Sequence, residues 1–117
     1  MGEVDKRISI IARACNEKKG ADLKILKIRE LTTIADYFII ASGNSTIQVT
    51  AIADEIEQKM GEAGYYLSGK EGHKSGRWIL LDFKDIVVHI FHKEDREFYN
   101  LEKLWADGEE LLLDDMF

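Results

Sequence analysis

The stretch from residue 78 to residue 105 constrains the fold of this chain more than any other. It contains WILLDF, then DIVVHIF, then REFYNLEKLW, so two apolar runs lead into an aromatic-rich segment. The runs at residues 78–83 and 86–91 are rich in β-branched and aromatic residues. Because two residues separate them, they predict a tight β-hairpin. A helix is expected over residues 95–105, and the whole stretch is typical of a surface more than of a catalytic centre.

Apolar periodicity upstream predicts two helices and two strands. Residues 23–29 alternate as a strand with both faces partly covered, and the continuously apolar residues 37–41 predict a central strand buried on both faces. Ser45 and Gln48 have the spacing of a capping box and predict the start of a helix. Residues 3–19 also predict a helix, and the expected core positions of the two helices are Val4, Ile8, Ile11, Ala12, Cys15, Val49, Ile52, Ala53, Ile56 and Met60.

Together these elements predict an α+β fold with a mixed β-sheet of about five strands flanked by helices. Residues 65–67 are a further strand candidate, and residues 68–76 predict a polar loop with three glycines. We expect one domain over residues 1–117, with a core of about residues 5–106. The acidic tail at residues 107–117 is expected to be a short helix or a frayed end.

Composition is typical of a soluble protein with a packed core. The chain has 117 residues, of which 45% are hydrophobic and 32% are charged, and no apolar run is long enough to span a membrane. Its N-terminus mixes acids and bases without an apolar signal region, so we expect a cytoplasmic protein. The single cysteine, Cys15, cannot form an internal disulfide and is expected to pack in the core.

The net charge limits the partners that this chain can attract. A charge of −6 and a pI near 5.1 disfavour binding to nucleic-acid phosphates, which depends on clustered Lys and Arg. Opposite potentials steer encounter between proteins. The composition therefore favours a basic protein partner over bare RNA.

The turn at residues 42–45 is the strongest candidate for a catalytic or phosphate-binding site. It precedes a helix, so its free amides and the helix dipole could bind an anion, although the same residues are also a good helix cap. A nucleotidyltransferase would also need clustered carboxylates to hold magnesium. Asp36 and Asp82 could meet across the sheet, but the sequence contains no spacing that requires it.

The three histidines do not form an evident catalytic or metal site. His89 and His92 are three residues apart on a strand, where they point to opposite faces and make a poor chelating pair. His73 lies beside Glu71 in the glycine loop, and no nucleophile stands in evident spacing to it, which favours a contact role. Trp78 follows a polar loop, and both an exposed anchor and ordinary sheet packing remain open for it.

Several separated motifs resemble the ribosomal silencing factor family, RsfS/Iojap. They are DYFIIASGNS at residues 36–45, QVTAIAD at residues 48–54, the pair Glu71-Gly72, the WILLD strand, the VVH strand and the REFYNLEKLW helix. The resemblance covers about residues 5–106. Two residues depart from the family pattern, since Ile47 stands where Arg is usual and Lys84 replaces the usual hairpin Gly.

This resemblance implies a translation repressor that binds the large ribosomal subunit through ribosomal protein L-fourteen and sterically blocks association with the small subunit. It implies a fold related to nucleotidyltransferases without their catalytic carboxylates, and therefore no catalytic residues, cofactor or metal. It also implies homodimerisation of the free protein. Trp78 would be the aromatic anchor, and Glu71, His73 and Asp82 would contact a basic partner.

Two alternatives remain open from the sequence. The chain could be a small magnesium-dependent nucleotidyltransferase that uses the turn at residues 43–45 with Asp36 or Asp82. It could also be a dimer whose aromatic or sheet surface is occupied by its own copy until a partner displaces it.

Overall fold

A computed structural model describes residues 3–111 of the chain and the side chains of residues 6–110. Among these residues, no helix is both long and apolar enough to cross a membrane. Helices and strands alternate irregularly along the chain, as an α+β fold requires. The elements are α1 Glu3–Glu17, β1 Ala21–Lys27, β2 Tyr37–Gly43, α2 Thr46–Glu62, β3 Gly69–Glu71, β4 Trp78–Asp82, β5 Ile86–His92, α3 Lys93–Tyr99, α4 Leu101–Leu104 and β6 Glu109–Leu111.

The strands of the described residues form a six-stranded mixed sheet in the order β3-β4-β5-β2-β1-β6. The central pair, β2 and β5, is parallel, and the other neighbouring pairs are antiparallel. Both central strands are buried along their whole length. This confirms the predicted mixed sheet and the central position of the first continuously apolar run, because a strand covered on both faces can be apolar at every position.

The first face of the sheet is covered by α1 and α2. Its core contains the predicted helix positions Ile8, Ile11 and Cys15 of α1, and the five predicted positions of α2 are also buried. Burial raises the pKa of the Cys15 thiol to about 12, because the thiolate would lose its hydration. The predicted core role of Cys15 is confirmed. The side chain of Val4 lies outside the described residues.

The second face of the sheet is covered incompletely by α3 and α4. Its core contains Phe38, Ile40 and Phe91, against which the half-buried Trp78 and Trp105 pack. Trp105 meets Phe38 edge to face, with ring centroids 5.4 Å apart. Two short helices cannot cover the width of six strands, so part of this face remains accessible.

The predicted cap of α2 is present, with one change in its bonding. Ser45 Oγ accepts a hydrogen bond from the Gln48 amide at 3.0 Å, while Gln48 Oε1 accepts from the amide of Asn44 at 2.6 Å instead of from that of Ser45. The Gln48 amide nitrogen also donates to the carbonyls of Lys18 and Lys19. Gln48 therefore joins the start of α2 to the end of α1.

Two predicted elements near the sheet edges differ from the structure. Residues 65–67 are not a strand; the strand is β3, inside the segment predicted to be a loop. Residues 109–111 pair with β1 as β6, so this part of the tail is neither a helix nor frayed, and residues 112–117 lie outside the described part of the chain. Edge strands of three residues leave little periodicity to recognise in a sequence.

The predicted helix over residues 95–105 is divided in two. Asn100, at φ 48°, is the C-cap of α3 and the N-cap of α4. Arg96 is buried although it is charged: its guanidinium donates to Ser42 Oγ at 2.8 Å and to both carboxylate oxygens of Glu102 at 3.2 Å. A charged group can be buried here because its donors find acceptors.

Candidate functional site

Four side chains on the second face form a partly exposed apolar area, which we call the aromatic surface: Trp78 and Leu80 of β4 with Phe98 and Tyr99 of α3. Phe98 is 78% exposed and Tyr99 is 52% exposed, whereas Trp78 and Leu80 are half-buried. The centroid of the Tyr99 ring lies 4.9 Å from that of Trp78 and 5.1 Å from that of Phe98. Rings exposed together in this way are typical of protein-binding surfaces.

Trp78 lies between the sheet and the surface. Its indole stacks on Phe91, which is directly opposite on β5, with ring centroids 4.8 Å apart and an interplanar angle of 27°. Its Nε1 donates a hydrogen bond to His89 Nδ1 at 3.2 Å. The sheet packing that we considered for Trp78 is therefore present, and the half-buried indole is also part of the accessible area.

His89 lies beneath this indole and is 4% exposed. The Phe38 ring meets it edge to face, with centroids 4.7 Å apart. Burial lowers the pKa of His89 to about 4, because the imidazolium would lose its hydration. Its Nε2 has no hydrogen-bond partner among the described residues. A neutral imidazole is therefore held in the core directly under the aromatic surface.

Both predicted contact acids lie on the same face as Trp78. Glu71 of β3 is directly opposite Leu80, and directly paired residues share a face. Asp82 is two residues beyond Leu80 on the same strand and therefore also shares it. Glu71 is exposed, whereas the half-buried Asp82 carboxylate accepts a hydrogen bond from the Lys84 amide at 2.8 Å. Asp82 thus also holds the hairpin turn.

The structure does not bring His73 to the aromatic surface. Its Nε2 lies 2.8 Å from Asp54 Oδ1 on α2, which covers the opposite face of the sheet. The neighbouring Lys70 likewise reaches Glu57 of α2 at 2.8 Å. Of the four predicted contact residues, Trp78, Glu71 and Asp82 share one face, and His73 is separated from them by the sheet edge.

The loop before β4 is fixed on both sides of Trp78. Gly72 has φ 77°, and a Cβ at this position would clash with the Trp78 carbonyl oxygen. Arg77 donates to the Asp95 carboxylate at 2.6 and 3.3 Å and so ties the start of β4 to α3. That hydrogen bond is the main reason that the pKa of Arg77 is raised. These contacts place the two elements of the aromatic surface side by side.

At the turn after β2, two of the backbone amides are unavailable to a nucleotide phosphate. The amides of Asn44 and Gln48 are already bonded to side chains of this chain, so they are not free to bind a phosphate. Asp36 precedes β2, and Asp82 lies on β4, with β5 between these strands. The described residues contain no group of three or more His, Cys, Asp or Glu side chains that could hold a metal ion.

The sequence did not identify Leu80, Phe98 and Tyr99 as surface residues. The prediction for residues 95–105 specified a helix without saying which of its side chains would be exposed, and both Tyr99 and Leu104 are mostly exposed. Phe98 and Tyr99 are adjacent in the sequence, but the adjacent residues Ile52 and Ala53 of α2 are both buried, so helical periodicity did not show that these two rings are exposed.

Comparison with known proteins identifies the family of the chain. The family model described as ribosomal silencing factor during starvation matches residues 2–116. The chain belongs to the ribosomal silencing factor family. It is 46% identical over 101 residues to the ribosomal silencing factor RsfS of Bacillus subtilis, and the match covers 86% of each chain.

Solved structures agree with this ribosomal silencing factor fold. A crystal structure of a Chromobacterium violaceum protein superimposes with a TM-score of 0.87 at 36% identity, covering 89% of this chain and 87% of the other. A Bacillus halodurans protein gives a TM-score of 0.81 at 36% identity, covering 92% and 97%. The predicted family and the α+β fold are thereby confirmed. The motif at residues 36–45 corresponds mainly to buried β2 and the helix cap that follows it.

Proposed function

We propose that this chain represses translation by binding the large ribosomal subunit through its aromatic surface and sterically preventing association with the small subunit. The observation that carries the proposal is the exposure of Phe98 and Tyr99 beside Trp78 on an incompletely covered sheet face. Membership of the ribosomal silencing factor family supports it. On this proposal the protein acts in the cytoplasm, by occupying a surface and without turnover.

We propose ribosomal protein L-fourteen as the direct partner, contacted as a basic protein and not as bare RNA. The chain carries a net charge of −6, and Glu71 and Asp82 lie on the same face as the aromatic anchor Trp78. Complementary charges around an apolar centre fix register and speed association. His73 is separated from this face, so its proposed contact is at the rim of the interface.

We also propose that the free protein is a homodimer in which two aromatic surfaces cover each other. An exposed apolar area can be buried by a second copy related by a twofold axis, because each copy then supplies the same area. Binding to the ribosome would then require the two copies to separate.

The direct test of the proposed function is sedimentation of the purified protein with separated ribosomal subunits on sucrose gradients at physiological salt. We expect the protein to migrate with large subunits and to reduce the formation of joined ribosomes. Calorimetry with purified L-fourteen then tests the partner. Normal joining and no migration with large subunits would contradict the proposed function, whereas subunit binding without L-fourteen binding would contradict only the partner.

Substitution of an exposed ring distinguishes a role in binding from a role in core packing. Phe98→Glu should weaken binding to large subunits about tenfold or more, because an exposed ring is replaced by a charge at the centre of the interface. Its thermal unfolding should stay close to that of the wild-type protein, since the side chain is 78% exposed.

Tyr66→Glu is the matched control for this substitution. Tyr66 is 76% exposed and follows α2, which lies on the opposite face of the sheet. It should bind large subunits as the wild-type protein does. If Phe98→Glu binds large subunits as tightly as the wild-type protein, the interface lies elsewhere. If Phe98→Glu and Tyr66→Glu lose binding equally, the cause is a general effect of the added negative charge.

A further inference from the structure

The hydrogen bond between Trp78 and His89 joins a surface ring to a buried one. The two residues lie on neighbouring strands, and the donor is Trp78 Nε1, 3.2 Å from His89 Nδ1. His89 is nearly inaccessible, whereas Trp78 is half-buried. The bond therefore runs from the aromatic surface into the core.

The chemistry of the two rings determines where the imidazole proton lies. An indole N–H can only donate, so His89 Nδ1 must present its lone pair and the ring proton must be on Nε2. Protonation of Nδ1 would place two N–H groups against each other. The interaction with Trp78 therefore depends on one neutral tautomer of His89.

The two phenyl rings around His89 leave the indole N–H of Trp78 as the donor to Nδ1. Phe38 lies edge to face with the imidazole, and Phe91 stacks near it with centroids 6.3 Å apart. Neither ring can compete with Trp78 as a conventional hydrogen-bond donor to Nδ1. The Phe91 ring also stacks on Trp78, so it limits the plane of the indole, while the hydrogen bond sets the direction of its N–H edge.

We propose that His89 is a positioning residue for the partner-binding surface: its Nδ1 lone pair holds the indole of Trp78 in the one orientation that meets the partner. This inference rests on the proposed function, because it assigns His89 to the same surface without contact to the partner. A ring held in its bound orientation loses less conformational freedom on association. Removing the acceptor should therefore weaken binding while leaving the contacting side chains unchanged.

Two substitutions separate the acceptor from the ring. His89→Phe keeps a ring of similar shape and loses the acceptor, and it should weaken binding to large subunits about three- to tenfold. His89→Asn loses the ring but can place its Oδ1 near the position of Nδ1, and it should bind within about twofold of the wild-type protein. If His89 had only a structural role, the binding affinities of the two variants would instead follow their thermal stabilities.

The NMR signal of the Trp78 indole N–H reports on its hydrogen bond to His89 separately from the stability of the protein. Nitrogen-15 labelled protein contains two tryptophans, Trp78 and Trp105, and Trp78→Phe assigns the signal. We expect the Trp78 N–H to shift and to exchange faster with solvent in His89→Phe, and to remain protected in His89→Asn. If the N–H loses its bond in His89→Phe and binding stays equal to that of the wild-type protein, the inference is overturned.

The outcomes distinguish this inference from the proposed function. Wild-type protein that does not bind large subunits overturns the proposed function and, with it, any effect of His89 on binding. Binding by the wild-type protein with equal binding by His89→Phe overturns only the positioning role. If His89→Phe does not fold, the imidazole nitrogen shifts of the wild-type protein decide: a proton on Nδ1 overturns the inference, and a proton on Nε2 alone supports it.

Discussion

At the residue scale, His89 shows how a buried ionisable group can be accommodated without a charged partner. The rings that face it are those of Phe38, Trp78 and Phe91, and none carries a charge. The fold therefore accepts the neutral imidazole, and burial holds the pKa of His89 at about 4. The sequence showed that this histidine lies in an apolar run, but it did not show that Trp78 is its hydrogen-bond partner.

This lowered pKa should make stability depend on pH. In the unfolded chain His89 takes up a proton near its ordinary pKa of about 6.5, whereas in the folded protein it does so only near 4. Its contribution is therefore fully present above about pH 6.5 and is lost as the pH falls towards 4, amounting to a few kcal/mol. Urea unfolding from pH 7.5 to 5 should show this loss.

His89→Phe is the control for the pH dependence. It removes the titrating group and retains His73 and His92, so their contributions cancel in the comparison. We expect the difference in unfolding free energy between the two proteins to change with a slope of up to one proton between pH 6.5 and 5. If the unfolding free energies of the two proteins changed equally with pH, His89 would have the same pKa in the folded and unfolded states.

Lys84 is a second position where one residue carries local strain. The φ of Lys84 is 74°, in the left-handed region that glycine adopts most readily. A left-handed backbone costs a non-glycine residue a fraction to about one kcal/mol. The Asp82 carboxylate stabilises the turn by accepting from the Lys84 amide. The hairpin therefore forms although its preferred turn residue is missing.

At the element scale, Gly72 determines how the loop before β4 passes the strand. It combines φ 77° with an approach to the Trp78 carbonyl that leaves no room for a Cβ. The motif Glu71-Gly72 is thus explained in part by packing. Glu71 remains a candidate contact residue, while Gly72 allows the loop to lie against β4.

Gly72→Ala should destabilise the protein more than Gly64→Ala. Gly64 has a similar positive φ of 91°, but a Cβ there would meet no atom within 4 Å among the described residues. Backbone strain should cost each variant about 1 kcal/mol, and the contact with the Trp78 carbonyl should add about 1–3 kcal/mol at Gly72 alone.

Chemical denaturation of the two glycine variants measures this difference. Strain is common to both, so the excess loss at residue 72 reports the steric contact with β4. Equal losses would show that the loop moves away from β4 at little cost. That result would also weaken the assignment of Gly72 as the residue that fixes the approach to Trp78.

At the scale of the whole molecule, net charge sets opposite salt dependences for the two proposed complexes. Two copies with a charge of −6 repel each other, so added salt should strengthen the homodimer by screening this repulsion. Binding to a basic ribosomal protein should weaken as salt increases, because attraction is screened instead. The balance between the two complexes should therefore shift with ionic strength.

Analytical ultracentrifugation tests the dimer and its surface. We expect the wild-type protein and Tyr66→Glu to sediment as dimers at 150 mM salt or above, which is roughly physiological, and Phe98→Glu to sediment as a monomer because the added charge would be buried against its copy. A Phe98→Glu dimer would place the self-association surface elsewhere. A monomeric wild-type protein at all salt concentrations would contradict the homodimer.

The sequence by itself determined the main elements, the central strand, the helix cores and the family. Continuous apolar residues in β2 and the hairpin spacing before β5 are local patterns, and each depends on residues close together in the chain. Glu71 and Asp82 became candidate contact residues through the family resemblance, and their shared face depends on strand register.

Only the tertiary structure decided which side chains surround Trp78. Tyr99 lies about twenty residues away in sequence and reaches Trp78 because α3 ends at Asn100 and is anchored by Arg96 to Ser42, and Phe98 contacts Tyr99 in turn. Exposure depends on the summed packing of distant elements, as does the tautomer of His89. Neither property can be predicted from the periodicity of the sequence, because periodicity describes one helix or strand at a time and not the packing between them.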